Sequence, residues 1–414
     1  MKKIYELNQN FWIGYSQPLE HSESTFSGRD PMRFSYISDR LAESLVPGIS
    51  NQNHRSGYFK LMALAKNDEI HDGLAQYSDD FVEQVLLLER AWTIGLFLTE
   101  DLGSGKKNQR IYGVNKARRL VDDFDNWSYN PLLKKDCILG NQRGTGGYGY
   151  YHVAFDSLNL DQDDFIDAVI EKKKNRGDFA SALCVDWKST NNIKKDNLYD
   201  AMIKLVNWIP LNGCHENSDI ILKNRLLQNQ KRNLVYQLCK SKITNNGDEL
   251  KALIRLSENN QTKQLAQTII KWDTFIKKIL DIFQYICKCI LKGEKPRRHV
   301  SCVHEADAAF DALQSMNIIS DKQDIVFNFL LSSKSLKDYD LIRSIVLYHH
   351  EAQTAKEGKP WIEWDKDKDC PLLILKKDRL EDWISPLRTS NSLIHQYRIH
   401  TLCSLVNNTG DEND

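Results

Sequence analysis

Between residues 261 and 292 apolar side chains recur at alternating spacings of four and three: Leu265, Ile269, Trp272, Ile276, Ile279, Phe283, Ile286 and Ile290. This is a heptad seam more than three heptads long, and it requires an α-helix with a contact line of about 38 Å and something packed along it. Ile270, Phe275, Leu280 and Ile282 add apolar surface beside the seam, which favours the centre of a bundle over an isolated coiled coil. Docking of a partner through Ile276, Ile279, Phe283 and Ile286 is the second reading of the same pattern.

Helical spacing extends well beyond this segment. It predicts helices over 162–174, 196–209, 218–240, 247–257, 261–292, 304–317, 322–333 and 336–351, with breaks at "TNNGD", "KGEKPRR" and "AKEGKP". Upstream, Pro31 suits a first helical turn and Pro47-Gly48 a stop, while Asp79 or Asp80 opens the apolar helix "FVEQVLLLERAWTIGLFL". One β signal interrupts the pattern, because "KPWIEW" and "CPLLILK" flank the charged turn "DKDKD". The fold class expected is therefore mainly α, with a small hairpin near the C-terminus in the helix, helix, hairpin order of a winged-helix element. Two parts are expected, a mixed helical and loop domain over 1–158 and a helical domain over 159–414.

With 414 residues the chain can bury a large core without covalent staples. Its nine cysteines are scattered, odd in number and without a Cys-x-x-Cys, which reads as reduced thiols in the cytoplasm. The start, "MKKIYELNQNFWIG", lacks the apolar run of a signal peptide, and "FIKKILDIFQYICKCIL" holds too many charges for a membrane span. Lys plus Arg and Asp plus Glu balance at 56 each, so any attraction to nucleic acid has to come from a local patch.

One such patch adjoins a glycine-rich stretch. In "GKKNQRIYGVNKARR", Lys106, Lys107, Arg110, Lys116, Arg118 and Arg119 place six positive charges within fourteen residues, around Tyr112. Arg143, Tyr148, Tyr150 and Tyr151 follow in "GNQRGTGGYGYYHVAF", so phosphate contacts with aromatic platforms are one reading. A solvated helix face beside a turn that delivers aromatics to a core is the other. A dinucleotide cradle is a third, since Gly144, Gly146 and Gly149 satisfy G-x-G-x-x-G. That cradle needs a helix start after the glycines, and "YYHVAF" is aromatic and β-prone, which argues against it. "GSGKK" at 103–107 falls short of a Walker A, with Glu100 in place of the first glycine and Lys107 in place of Ser or Thr.

Metal and catalytic motifs are weak. "DKDKD" lacks the glycine and glutamate of a calcium loop, where Cys370 and Lys376 stand. Cys214-His215-Glu216, Cys302-x-His304-Glu305 and Cys287-x-Cys289 lack the paired spacing of a zinc site, so neither metal nor cofactor is expected. In "DLIRSIVLYHHEA", Arg343 and His350 are seven residues apart and share a helix face. An arginine and a histidine with six residues between them on an α-helix resemble the motif of the HEPN ribonucleases, in which the two residues of paired protomers cleave RNA. Ser344 departs from the polar Asn, Asp or His common after that arginine. The resemblance implies Arg343 as phosphate stabiliser and His350 as general acid/base.

At "RAWTIGLFLTEDLGSG", "IYGVNKARRLV" and "RGTGGYGYY" the chain also resembles accessory subunits, neither ATPase nor nuclease, of Lamassu-type three-component antiphage systems in bacteria. This resemblance spans residues 90–151 and supplies no catalytic residue. It implies a helical adaptor between an SMC-like ATPase and a nuclease effector. The expected function is a non-catalytic scaffold of a prokaryotic nucleic-acid-sensing defence complex, with protein partners, DNA as a further partner and no membrane. Its nucleic-acid contacts would be Lys106, Lys107, Arg110, Lys116, Arg118, Arg119, Arg143 and Tyr148.

Overall fold

A computed structural model of the protein describes residues 30–99, 111–187, 192–210, 216–240, 248–294, 296, 299–319, 324–356, 358–374, 380, 393–395 and 397–407. These residues form eighteen α-helices and one hairpin, so the fold is mainly α. In chain order the first helices are α1 (Ser35–Leu45), α2 (Ser56–Ala65), α3 (Asp68–Leu74), α4 (Phe81–Leu98), α5 (Val114–Asp122) and α6 (Gln142–Thr145). Next come α7 (Gly147–Ser157), α8 (Asp163–Ile170), α9 (Arg176–Cys184), α10 (Asn192–Trp208), α11 (Asn217–Gln228) and α12 (Gln230–Cys239). The remainder are α13 (Asp248–Leu256), α14 (Asn260–Lys292), α15 (Val303–Ser315), α16 (Ile325–Ser333), α17 (Asp338–Thr354), the strands β1 (Ile362–Asp365) and β2 (Cys370–Leu373), and α18 (Ile399–Asn407). No helix among the described residues is long and apolar enough to cross a membrane.

The chain divides into two compact units, each discontinuous in sequence. Unit 1 comprises Met1–Leu45 and Ser241–Tyr397, and unit 2 comprises Val46–Lys240 and Arg398–Asp414. This partition differs from a sequential split at 158/159, because α1 belongs with the C-terminal helices and α18 packs against α11 and α12.

In unit 1 the heptad helix α14 is central. Asn259 caps it by accepting the Thr262 N–H, and Gly293 ends it in the left-handed region at φ +69°, where a side chain would be strained. Along its length α1, α13, α15 and α17 pack against it. Ile276, Ile279, Phe283 and Ile286 are each 0–1% exposed, so the seam is filled by the chain's own helices rather than left open for a partner. The indole of Trp272 shows the fit, donating to Ser38 Oγ of α1 at 3.0 Å while Phe34 packs edge-on at 5.4 Å. The helix opens at Ser35, four residues after Pro31, and not at the proline itself. The Asp30 carboxylate takes up the N–H groups of Phe34 and Ser35, and Arg33 turns left-handed at φ +54°.

The hairpin pairs Ile362 with Leu373 and Asp365 with Cys370, and β1 lies against α17. Its aspartates close the turn: Asp365 Oδ1 accepts the N–H groups of Asp367 and Lys368. The order α16, α17, hairpin is present.

In unit 2 the apolar helix α4 is capped by Asp80, whose carboxylate accepts the Val82 N–H at 2.9 Å. Helices α2, α5, α7 and α10 pack around it. The glycine stretch is not β-prone in outcome. Gly147, Tyr151, Ala154 and Phe155 recur at helical spacing and are buried, and this tertiary burial overrides the β preference of its aromatics.

Candidate functional site

Because α7 starts at Gly147, a helix N-terminus does follow Gly144 and Gly146, with Gly149 inside its first turn, correcting the expectation that none would. That N-terminus is occupied from within. Glu89 of α4, 1% exposed, accepts the Gly147 N–H at 2.6 Å and the Gln142 side-chain amide at 3.0 Å. Arg90, fully buried, donates to Gln142 Oε1 at 2.9 Å and to the Tyr77 hydroxyl at 3.0 Å. Burial pushes the Glu89 carboxyl from its ordinary 4.5 up to about 7, with the Gly147 amide, Gln142 and the Arg90 charge pulling the other way. A phosphate has no room at this helix start, since a carboxylate of the chain holds the place an anion would take.

The glycines serve close approach. A Cβ on Gly147 would lie 2.1 Å from the Tyr58 ring, and one on Gly149 would lie 2.5 Å from the Gly144 carbonyl oxygen. Tyr58 then anchors an aromatic cluster, 4.8 Å from Tyr151, 5.4 Å from Tyr112 and 5.3 Å from Trp92. Its hydroxyl accepts the Tyr112 N–H at 3.0 Å, and Tyr151, fully buried, accepts the Arg55 N–H through its own. The stretch is thus a turn that carries aromatics into a core.

Outside this core lies the basic surface. Lys106, Lys107 and Arg110, with the "GSGKK" segment, lie outside the described residues. Lys116, Arg118 and Arg119 are exposed on α5, whose only buried residue is Ala117. Lys116 donates to the Asp136 carbonyl at 2.9 Å, and the Arg118 guanidinium lies 5.5 Å from the Phe97 ring centre. Arg143 is exposed, and its charge is felt by the half-exposed Tyr148, whose hydroxyl is raised chiefly by desolvation. Tyr148 stacks on His152 at 5.0 Å, and Tyr112 on Tyr150 at 5.2 Å. Asp122, Asp123 and Asp125 are exposed directly after the basic run and limit it on that side.

In unit 1, Arg343 and His350 are both exposed on α17, separated along its axis by about 10 Å. They do not touch; each faces the hairpin. The Arg343 guanidinium lies 5.8 Å from the Trp364 ring centre, and His350 Nδ1 lies 3.6 Å from Glu363 Oε1. Arg343 also lines a groove of about 410 Å³ with Ile325, Phe329, Leu336 and Leu347 of the α16–α17 region. The neighbouring His349 is fully buried, donating from Nδ1 to the Pro31 carbonyl and accepting the Trp361 N–H at Nε2, both at 2.9 Å. Burial lowers its imidazole from 6.5 to about 3, so it is a neutral core residue.

Eight cysteines are described, all buried, and desolvation raises Cys137 to about 11 and Cys184 and Cys302 to about 12. Such thiols are poor nucleophiles. Among the described residues no three His, Cys, Asp or Glu side chains gather as metal ligands; Cys214 and His215 lie outside them. No family model, curated protein or solved structure matches the chain.

Proposed function

We propose that the protein is a non-catalytic scaffold subunit of a prokaryotic defence complex that senses nucleic acid, and that unit 2 touches phosphates through Lys116, Arg118, Arg119, Arg143 and Tyr148. The observation that supports this reading best is the exposure of three arginines in the unit that holds two stacked aromatic pairs, with Arg143 close enough to Tyr148 for its charge to act on the phenol. Guanidinium groups at such a surface bind phosphate oxygens in a forked geometry, while tyrosine faces accept bases. The partners are other protein subunits, an SMC-like ATPase and a nuclease among them, and they dock elsewhere than on the buried seam of α14. The cytoplasm is the compartment such a complex requires.

Binding of a labelled DNA duplex, followed by anisotropy at about 50 mM salt, tests the phosphate reading. Arg118→Glu with Arg119→Glu and Arg143→Glu is expected to weaken binding at least tenfold and to lessen its salt dependence. Unchanged affinity would remove the surface from the proposal.

The placement of Arg343 and His350 on one exposed face favours a second reading, a HEPN-like ribonuclease assembled from two copies of the chain. Arg343 would stabilise phosphate and His350, beside Glu363, would exchange the proton. RNA cleavage lost in His350→Ala, with folding retained, would favour this reading over the scaffold.

A further inference from the structure

In unit 1, α14 carries on one side a pocket of about 270 Å³ whose polar lining consists mostly of donors. Lys278, Asp281, Tyr285 and Lys288 follow one another at spacings of three and four, which sets them along a single face of the helix. The opposite wall is a strap at His299 and Val300. Asp338, at the start of α17, fixes this strap: its carboxylate accepts the Val300 N–H at 3.0 Å, and its own N–H donates to the Val300 carbonyl at 2.8 Å. The same carboxylate lies 3.2 Å from His299 Nδ1. The pocket is therefore built from two segments held in fixed register.

Gln284 lines this pocket and is 6% exposed, yet its side-chain Nε2 has no hydrogen-bond partner. Leaving a buried amide donor unused costs about 1–3 kcal/mol, so its retention calls for a reason. Nε2 itself is enclosed, and rotation about the last torsion exchanges it with Oε1 without changing the side chain's shape, which turns the donor to the other side of the amide. Lys278 and Lys288, on the same lining, pair with no carboxylate among the described residues. Asp281 is the one carboxylate on the lining, against two ammonium groups and an amide, while the Tyr285 hydroxyl is engaged by Cys289 and His299 Nδ1 by Asp338.

We propose that this pocket binds a small phosphorylated ligand through Lys278, Lys288 and the Gln284 amide. Two cations on one lining, about 15 Å apart along the helix at their backbones, suit a phosphate or diphosphate group that their long side chains reach from either end. The volume sets the size. Small-molecule pockets run from about 300 to 1,000 Å³, so this one takes a phosphate group with a small body and excludes a dinucleotide. The site lies in unit 1 and does not depend on the nucleic-acid surface of unit 2.

Calorimetric titration of the full chain with inorganic pyrophosphate at about 50 mM salt tests the assignment. One saturable site per chain is expected. Lys288→Glu, an exposed change that leaves the core intact, and Lys278→Ala should each weaken it at least tenfold. Gln284→Leu should do the same while the circular-dichroism melt stays at or above that of the wild type. Lys271→Ala, exposed on the same helix away from the pocket, should bind as the wild type does. Absence of saturable heat, or affinity unchanged by Lys288→Glu and Lys278→Ala, would overturn the proposal. So would displacement of pyrophosphate only by a long oligonucleotide and never by inorganic phosphate, because the site would then be read by a polymer rather than a small ligand.

Discussion

Glu89 in unit 2 and Gln284 in unit 1 are both buried polar side chains next to structures that look ready for an anion, yet they have opposite consequences. Glu89 meets a helix N-terminus and spends its oxygens on Gly147 and Gln142, so the chain completes its own site. Gln284 meets a cavity between two lysines, and its Nε2 is left without a partner. The glycine pattern therefore marks packing, and the unremarkable face of the long helix marks an opening. What separates the two is whether the polar groups are already satisfied, not which motif they belong to.

The largest expected effect sharpens the first half of that contrast. Glu89→Ala would strip the α7 N-terminus of its acceptor and leave Arg90 buried without a nearby counter-charge, at a cost of about 3–5 kcal/mol in urea denaturation. A loss below about 1 kcal/mol would mean that the carboxylate does not hold the turn.

Titration gives the next effect. The Glu89 carboxyl is raised from 4.5 to about 7 in the folded chain, so the fold binds a proton that the unfolded chain has released. Its burial costs little below about pH 4.5, and the cost grows as pH rises to about 7, reaching about 3 kcal/mol. Glu89→Gln should flatten this slope. His349 has the opposite sign: it is neutral in the fold down to about 3 and charged in the unfolded chain below about 6.5. Its contribution is complete above pH 6.5 and declines as pH falls towards 3, and His349→Gln should remove that decline. Stability curves measured between pH 4 and 8 for the two variants should therefore depart from the wild type in opposite directions.

The smallest effect belongs to the open pocket. Lys288→Ala should change stability by no more than about 0.5 kcal/mol, as a solvated lysine does, while reducing affinity for pyrophosphate. A large stability loss with intact binding would reverse the assignment of roles.

Much of the helical framework was legible because burial on one side of a helix is written locally. The seam of α14, the Asp80 cap and the turn at Asp365 each rest on residues within a few positions of one another. The site at Glu89 was not legible, since Gln142 and Gly147 stand 53 and 58 residues away in sequence. For α7 a signal existed in the helical recurrence of Gly147, Tyr151, Ala154 and Phe155, but the β preference of the intervening aromatics outweighed it. The heptad rule specified that the α14 seam would be covered without specifying by what, and α1, from the far end of the chain, is one of the helices that covers it. The pocket on α14 depends on the strap at His299 and its tie to Asp338, a pairing 38–39 residues apart that no spacing rule announces.

Amide hydrogen exchange of the full chain with and without saturating pyrophosphate tests the contrast most directly. Slowed exchange is expected in peptides covering 278–288 and 299–301 and none in peptides covering 142–149. Protection at 142–149, with 278–288 unchanged, would show the glycine turn to be the anion site and would contradict it.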